Sequence, residues 1–294
     1  MKIVNILVLM MVLCAPVFGQ VTVDELNDEG VDLAEQGRYE EAVAVFDEAI
    51  QMDPECTEAW FNKGNALYHQ GEYDEAIAAY DRAIEIDPEY ANAWYNKGLA
   101  LQDQGKYSEA IIAYDKVIEI KPQHAGAWNN KGNALRDQGK YSEAIAAFDK
   151  AIEIDPEDAI TWSNKGAALD AQGKYDEAIA AYDEAIEIDP QFAYAWFNKG
   201  NALVAQGQYY EAIAAYDRAI EIDPHLEKAW FNKGLTLFNM DKYGEAMEAY
   251  DKVIEINPKN GLAWLNRDDA LMMLQRNPEA KAAYIKSKEL GYYE

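Results

Sequence analysis

The chain has 294 residues, half of them apolar or aromatic, which is enough material for a sizeable core. Its 53 acidic residues against 26 Lys and Arg give a formal net charge of -27. A surface of that sign repels phosphate backbones and anionic headgroups, so nucleic-acid and membrane-surface roles are disfavoured, whereas protein partners are compatible with it.

The first element is a leader. Lys2 precedes an apolar run from Ile3 to Leu13, broken only by Asn5, and Pro16 is followed by Val17-Phe18-Gly19. A positive start, a short apolar stretch and small residues before the cut describe a secretory signal peptide over residues 1–19, with cleavage before Gln20. The run is too short for a bilayer, which needs roughly 20 residues. Two competitors are a lipidated Cys14, disfavoured by the bulky Leu13 before it, and an uncleaved anchor. Cleavage predicts an extracytoplasmic protein, secreted or in the cell envelope, with no membrane span. Its one remaining cysteine, Cys56, could form no intramolecular disulfide.

Everything after the leader repeats. Trp60, Trp94, Trp128, Trp162, Trp196, Trp230 and Trp264 are spaced 34 residues apart, and so are Pro54, Pro88, Pro122, Pro156, Pro190, Pro224 and Pro258. A fixed period of this length marks a solenoid. The units run 23–56, 57–90, 91–124, 125–158, 159–192, 193–226, 227–260 and 261–294, the first with Leu26 in the tryptophan's place. Within 57–90, Trp60, Gly64 and Leu67 share one helical face. Gln70-Gly71 ends that helix, since glycine accepts a left-handed conformation. A second helix turns Ala76, Tyr80 and Ala83 inward, beside Ile77, Ile84 and Ile86, until Asp87-Pro88 stops it. Each unit is a helix hairpin that buries its faces only by stacking on neighbours.

This pattern resembles the tetratricopeptide repeat (TPR) family. Counting from the first residue of each unit, position 4 is Trp in seven copies, position 8 is Gly in seven, position 20 is Ala in all eight and position 24 is aromatic in all eight. The resemblance covers residues 23–294 and implies an all-α, right-handed superhelical solenoid of eight antiparallel hairpins, with the first helices lining an inner groove. One departure recurs: position 7, leucine in the family, is Lys63, Lys97, Lys131, Lys165, Lys199, Lys233 and Arg267. There the stem can cover apolar surface while the charge reaches solvent. The first and last units are the most divergent, with Asp28 and Glu29 in one and Asp268, Pro278, Lys281, Lys286 and Lys288 in the other, which is expected of capping repeats.

No residues form a convincing catalytic centre. Carboxylate pairs such as Asp74-Glu75 recur with the repeat on outward faces, whereas acid–base catalysis needs one unusual shielded pair. His69, His124 and His225 stand at unrelated positions, without zinc spacing, and Cys56 is a lone thiol in a turn. The expectation is a non-catalytic protein without cofactor or metal.

Position 6 lies about 200° from position 4 and so faces away from the hairpin core. It is Asn62, Asn96, Asn130, Asn164, Asn198, Asn232 and Asn266. A carboxamide both donates and accepts, so such a row can hold a peptide backbone whatever its side chains. It resembles the asparagine ladder of the repeats of O-linked N-acetylglucosamine transferase, whose catalytic domain is absent here; the alternative is a residue merely common at that position. Selectivity is expected from the aromatics Phe61, Tyr68, Tyr95, Tyr194, Phe197, Phe231 and Phe238 on the same face. The family's carboxylate clamp wants Lys at position 5, which never occurs here, so chaperone C-termini are disfavoured ligands. The expected function is a scaffold binding proteins or extended peptides in the groove. The alternatives are an accessory subunit of an envelope enzyme or of a secretion or glycosylation machine, and a self-associating envelope component.

Overall fold

The computed structural model describes residues 21–292, so the signal-peptide reading lies outside the described residues. Among these, sixteen helices and no strand are present. They fall into two compact units, residues 1–104 and 105–294. The first holds α1 (Val23–Glu35), α2 (Tyr39–Met52), α3 (Thr57–Gln70), α4 (Tyr73–Ile86) and α5 (Ala91–Asp103). The second holds α6 (Tyr107–Ile120), α7 (Ala125–Asp137), α8 (Tyr141–Ile154), α9 (Ala159–Ala171), α10 (Tyr175–Ile188), α11 (Ala193–Ala205) and α12 (Tyr209–Ile222). It continues with α13 (Glu227–Asn239), α14 (Tyr243–Ile256), α15 (Gly261–Met273) and α16 (Asn277–Glu289). The all-α repeat fold is thus present, built from adjacent helices paired as hairpins. No helix among the described residues is long and apolar enough to cross a membrane.

Local chemistry sets each boundary. Thr22 opens α1 with a reciprocal cap: its hydroxyl accepts from the Glu25 amide, and the Glu25 carboxylate accepts from the Thr22 amide. Gly71 ends α3 at φ 83, and the same left-handed place after α13 and α15 is taken by Asp241 and Gln275 at φ 61 and 60. A non-glycine residue there is strained, so these two turns are the costlier ones. Asp87 leaves α4 in an extended conformation, as the following Pro88 requires.

The hairpin core is a glycine against an aromatic ring. A Cβ on Gly166 would lie 2.6 Å from Cε1 of Tyr182, and one on Gly64 would lie 2.5 Å from Cε1 of Tyr80, closer than carbon atoms approach. Those rings are fully buried, as are Phe46, Phe148, Tyr216 and Tyr250 in the same role. Buried alanines complete the seam: Ala168 packs with Ala144 and Phe148, and Ala195 with Ala185. Close approach is what the small residues supply, and the rings fill the remaining volume.

Within each unit the first helices of successive pairs touch directly, α1 to α3 to α5 and α7 to α9 to α11 to α13 to α15. The second helices of successive pairs do not, among the described residues. The stack therefore bends locally with the first helices on the inner side, where side chains of neighbouring repeats meet.

Candidate functional site

Each first helix presents two edges to the preceding repeat, and they differ in chemistry. One edge carries the tryptophans. All seven are half-buried, and each indole N–H donates to the carbonyl of the proline six residues before it, at 3.0–3.3 Å. The 34-residue prolines thus do more than stop a helix: their carbonyls satisfy a polar group that the ring would otherwise bury unpaired.

The lysines at position 7 sit beside those rings. Their ammonium groups lie 5.1–5.6 Å from the indole centroids in the repeats of Trp60, Trp94, Trp128, Trp162, Trp196 and Trp230. Each also reaches back 16 residues to an aspartate of the preceding second helix: Lys63 to Asp47, Lys97 to Asp81, Lys131 to Asp115, Lys165 to Asp149, Lys199 to Asp183 and Lys233 to Asp217, all at 2.5–2.7 Å. Arg267 pairs likewise with Asp251 at 2.5 Å. The sequence reading, in which the charge simply reaches solvent, is corrected here. The charge is held across the repeat boundary, because the next helix pair brings a carboxylate within reach.

The other edge carries the asparagine row, and here too the structure amends the expectation. Four of the row do not face open groove: Asn62, Asn96, Asn164 and Asn232 turn toward the first helix of the preceding repeat. All seven are half-buried. Asn62 donates to Asn27 at 3.0 Å, and Asn164 to Asn129 at 3.0 Å, both partners standing at position 5 of the repeat before. Asn96 donates to Asn65 at 2.7 Å and Asn232 to Asn201 at 2.8 Å, with partners at position 9. Asn130 accepts from its neighbour Asn129 at 3.1 Å. For Asn198 the preceding residues at positions 5 and 9 are Ser163 and Ala167, and for Asn266 they are Phe231 and Leu235. Among the described residues these supply no carboxamide partner to either.

Position 9 explains the pattern further. Asn65 and Asn201 each accept from the hydroxyl of the core tyrosine below, Tyr80 at 2.9 Å and Tyr216 at 2.8 Å. Burial pushes both phenols well above the usual tyrosine range, so they stay donors. In the repeat between, the core ring is Phe148, which has no hydroxyl, and the buried Asn133 Oδ1 is left without a donor.

The aromatic set separates. Tyr194 is 53% exposed, whereas Phe197 is 9% exposed and belongs to the core with Ala193, Tyr216 and Leu226. Phe197 is therefore no surface anchor: its ring lies 6.1 Å from that of Tyr216 inside a buried cluster, which helical periodicity alone does not reveal. Phe61 is half-buried edge-on to Tyr90 at 5.2 Å, Phe231 against Tyr250 at 6.0 Å, and Phe238 edge-on to Tyr243 at 5.2 Å. Tyr68 donates to Asp103 at 2.5 Å, and Tyr95 is half-buried. Further apolar side chains on the first helices stand exposed in α13 and α15: Leu235, which shares the face expected to give selectivity, and Leu262, Met272 and Met273, which the sequence did not single out. Within residues 105–294 the inner side is mostly polar in α7 and α9, with Asn129, Asn133, Arg136 and Asp170 beside one exposed Ile160, and more apolar in α11 to α15. Desolvation raises the Asp170 carboxyl above the ordinary carboxylate range. Among the described residues no group of three or more His, Cys, Asp or Glu is placed to hold a metal ion.

Models of the tetratricopeptide repeat match residues 27–91, 87–125, 95–159 and 163–227, and a second such model matches 227–260. Among curated proteins no relative matches. YrrB, described as a TPR protein with an unusual peptide-binding site, is similar at 26% identity and a TM-score of 0.53, over 64% of this chain and 97% of its own. MamA is similar at 28% identity and a TM-score of 0.52, over 55% of this chain and 94% of its own. A tetratricopeptide repeat protein from Parabacteroides merdae aligns over 85% of this chain and 98% of its own, with a TM-score of 0.66; at 16% identity it attests to the fold alone.

Proposed function

The chain belongs to the tetratricopeptide repeat family, a protein-interaction scaffold, and from that premise we propose that it binds an extended peptide segment along the inner side of its first helices, outside the cytoplasm. The observation that carries the reading is a coincidence in α11 to α15. The asparagines without a carboxamide partner, Asn198 and Asn266, occur on the same helices as the exposed Tyr194 and Leu262, with Leu235 on the helix between. A free carboxamide can pair with any peptide unit, and exposed apolar side chains give anchors for particular residues. The peptide-binding description of YrrB supports the same class of ligand. The extracytoplasmic location rests on Lys2, the apolar run after it and Val17-Phe18-Gly19. An intact mass beginning at Gln20 is expected, and a cytosolic product retaining Met1 would overturn that part.

A peptide-library screen tests the binding reading. Asn198→Ala with Asn266→Ala is expected to weaken every bound peptide by a similar factor, roughly 2- to 10-fold for each neutral hydrogen bond lost. Tyr194→Ala is expected to change which peptides are selected. A library from which nothing is retained would sink the proposal, as would a double variant that binds unchanged.

A further inference from the structure

The two ends of the array depart from the repeat at the positions through which successive repeats touch. That register is visible inside each unit. Position 3 of a first helix packs on positions 27 and 28 of the repeat before it, as Ala195 does on Ala185 and Ile186. Position 10 packs on positions 20, 21 and 24, as Ala168 does on Ala144, Ile145 and Phe148. Position 7 pairs with position 25, as Lys165 does with Asp149.

Positions 3 and 10 are alanine or threonine in every first helix from α3 onward, and position 7 is basic. In α1 the three places are Glu25, Asp32 and Glu29, all exposed. The receiving positions 21, 25 and 28 are an apolar residue, aspartate and isoleucine in every second helix up to α14. In α16 they are Lys281, Ile285 and Lys288, again all exposed. The first repeat carries twelve acidic residues and one basic, the last five of each. Beside α16 a cavity of about 410 Å³ is lined by Leu265, Asp269, Met272, Ala280, Lys281 and Tyr284, around the positions that receive residue 10 of a following helix.

We propose that this C-terminal face is a docking surface for α1 of a second copy, so that chains associate head to tail in the register of the internal repeats. Asp32 then meets Lys281, and Glu25, whose carboxylate also caps α1, meets Lys288. Three features keep the contact weak. Glu29, at position 7, meets the apolar Ile285, where the internal repeats have a cation on an aspartate. Asp28, at position 6, approaches Asp269, at position 9, where asparagines join the internal repeats. Ser287, at position 27, is already covered, with the Tyr292 carbonyl accepting from its hydroxyl at 3.2 Å. Two opposite-charge pairs against one like-charge pair leave an attraction that salt screens. A head-to-tail contact leaves a free head and a free tail on every dimer, so rising concentration adds further copies instead of stopping at dimers.

Sedimentation of the purified chain over a concentration series tests this. The average mass is expected to rise with concentration at about 0.02 M salt and to fall back to the monomer at about 0.5 M. Asp32→Lys and Lys281→Glu should each weaken association at least about tenfold. Their equal mixture should restore it, since the reversed head fits the reversed tail. Both residues are exposed, and circular dichroism would confirm that each variant is folded. Asp28→Asn, which installs the residue of the following repeats, should strengthen association several-fold, by about the scale of a removed like-charge contact. A wild-type chain that stays monomeric at about 1 mM in low salt would overturn the proposal. So would association that is indifferent to salt or to the charge reversals.

Discussion

The tryptophan edge and the asparagine edge run along the same first helices and meet the same preceding repeat, yet one is uniform and the other is not. Every tryptophan finds its proline carbonyl, and every position-7 cation finds its aspartate. Along the asparagine edge the partner is at position 5 in some repeats and position 9 in others, and α11 and α15 have none. Uniform contacts stack the repeats at a fixed spacing. Variable ones leave polar capacity free at particular places, which is where a ligand can be read.

The largest effect that would test this contrast is loss of a ring on the uniform edge. Trp162→Ala removes packing, an indole hydrogen bond and the surface under Lys165. A fully buried ring costs roughly 3–5 kcal/mol, and a half-buried one about 2–3 kcal/mol. Trp128→Ala and Trp196→Ala should match it in thermal or denaturant unfolding. Disagreement by more than about 1 kcal/mol among the three would mean that the edge is not energetically uniform.

Next is the cation. Lys165→Met keeps the stem over the ring but removes the pair with Asp149, and about 1 kcal/mol is expected, since the lysine is only one-fifth exposed while the aspartate is nearly half exposed. Lys131→Met and Lys199→Met should cost the same. The sharpest discrimination comes from the smallest effect. Asn164→Ala strands the Asn129 acceptor and should cost about 0.5–1.5 kcal/mol, whereas Asn198→Ala should leave stability within about 0.5 kcal/mol. Equal costs at the two positions would erase the distinction between a structural and an available asparagine.

Much of this molecule is determined by its sequence alone. The 34-residue spacing of tryptophan and proline, glycine at the first-helix ends and the inward row of alanine and tyrosine are enough to specify sixteen helices in hairpins. Those features are local: period, turn chemistry and the apolar face of one helix all act within a few residues. Which side chain meets which across a repeat boundary was decided by the tertiary structure. Lys165 reaches Asp149, Trp162 reaches the Pro156 carbonyl, and Phe197 is buried beside Tyr216. Asn198 and Asn164 occupy the same position in their repeats, and only the neighbouring helix makes one of them bonded and the other free. A hydrogen bond forms within about 3.2 Å or not at all. Helical periodicity fixes the direction of a side chain, and only the packing of the next helix fixes the distance to its partner.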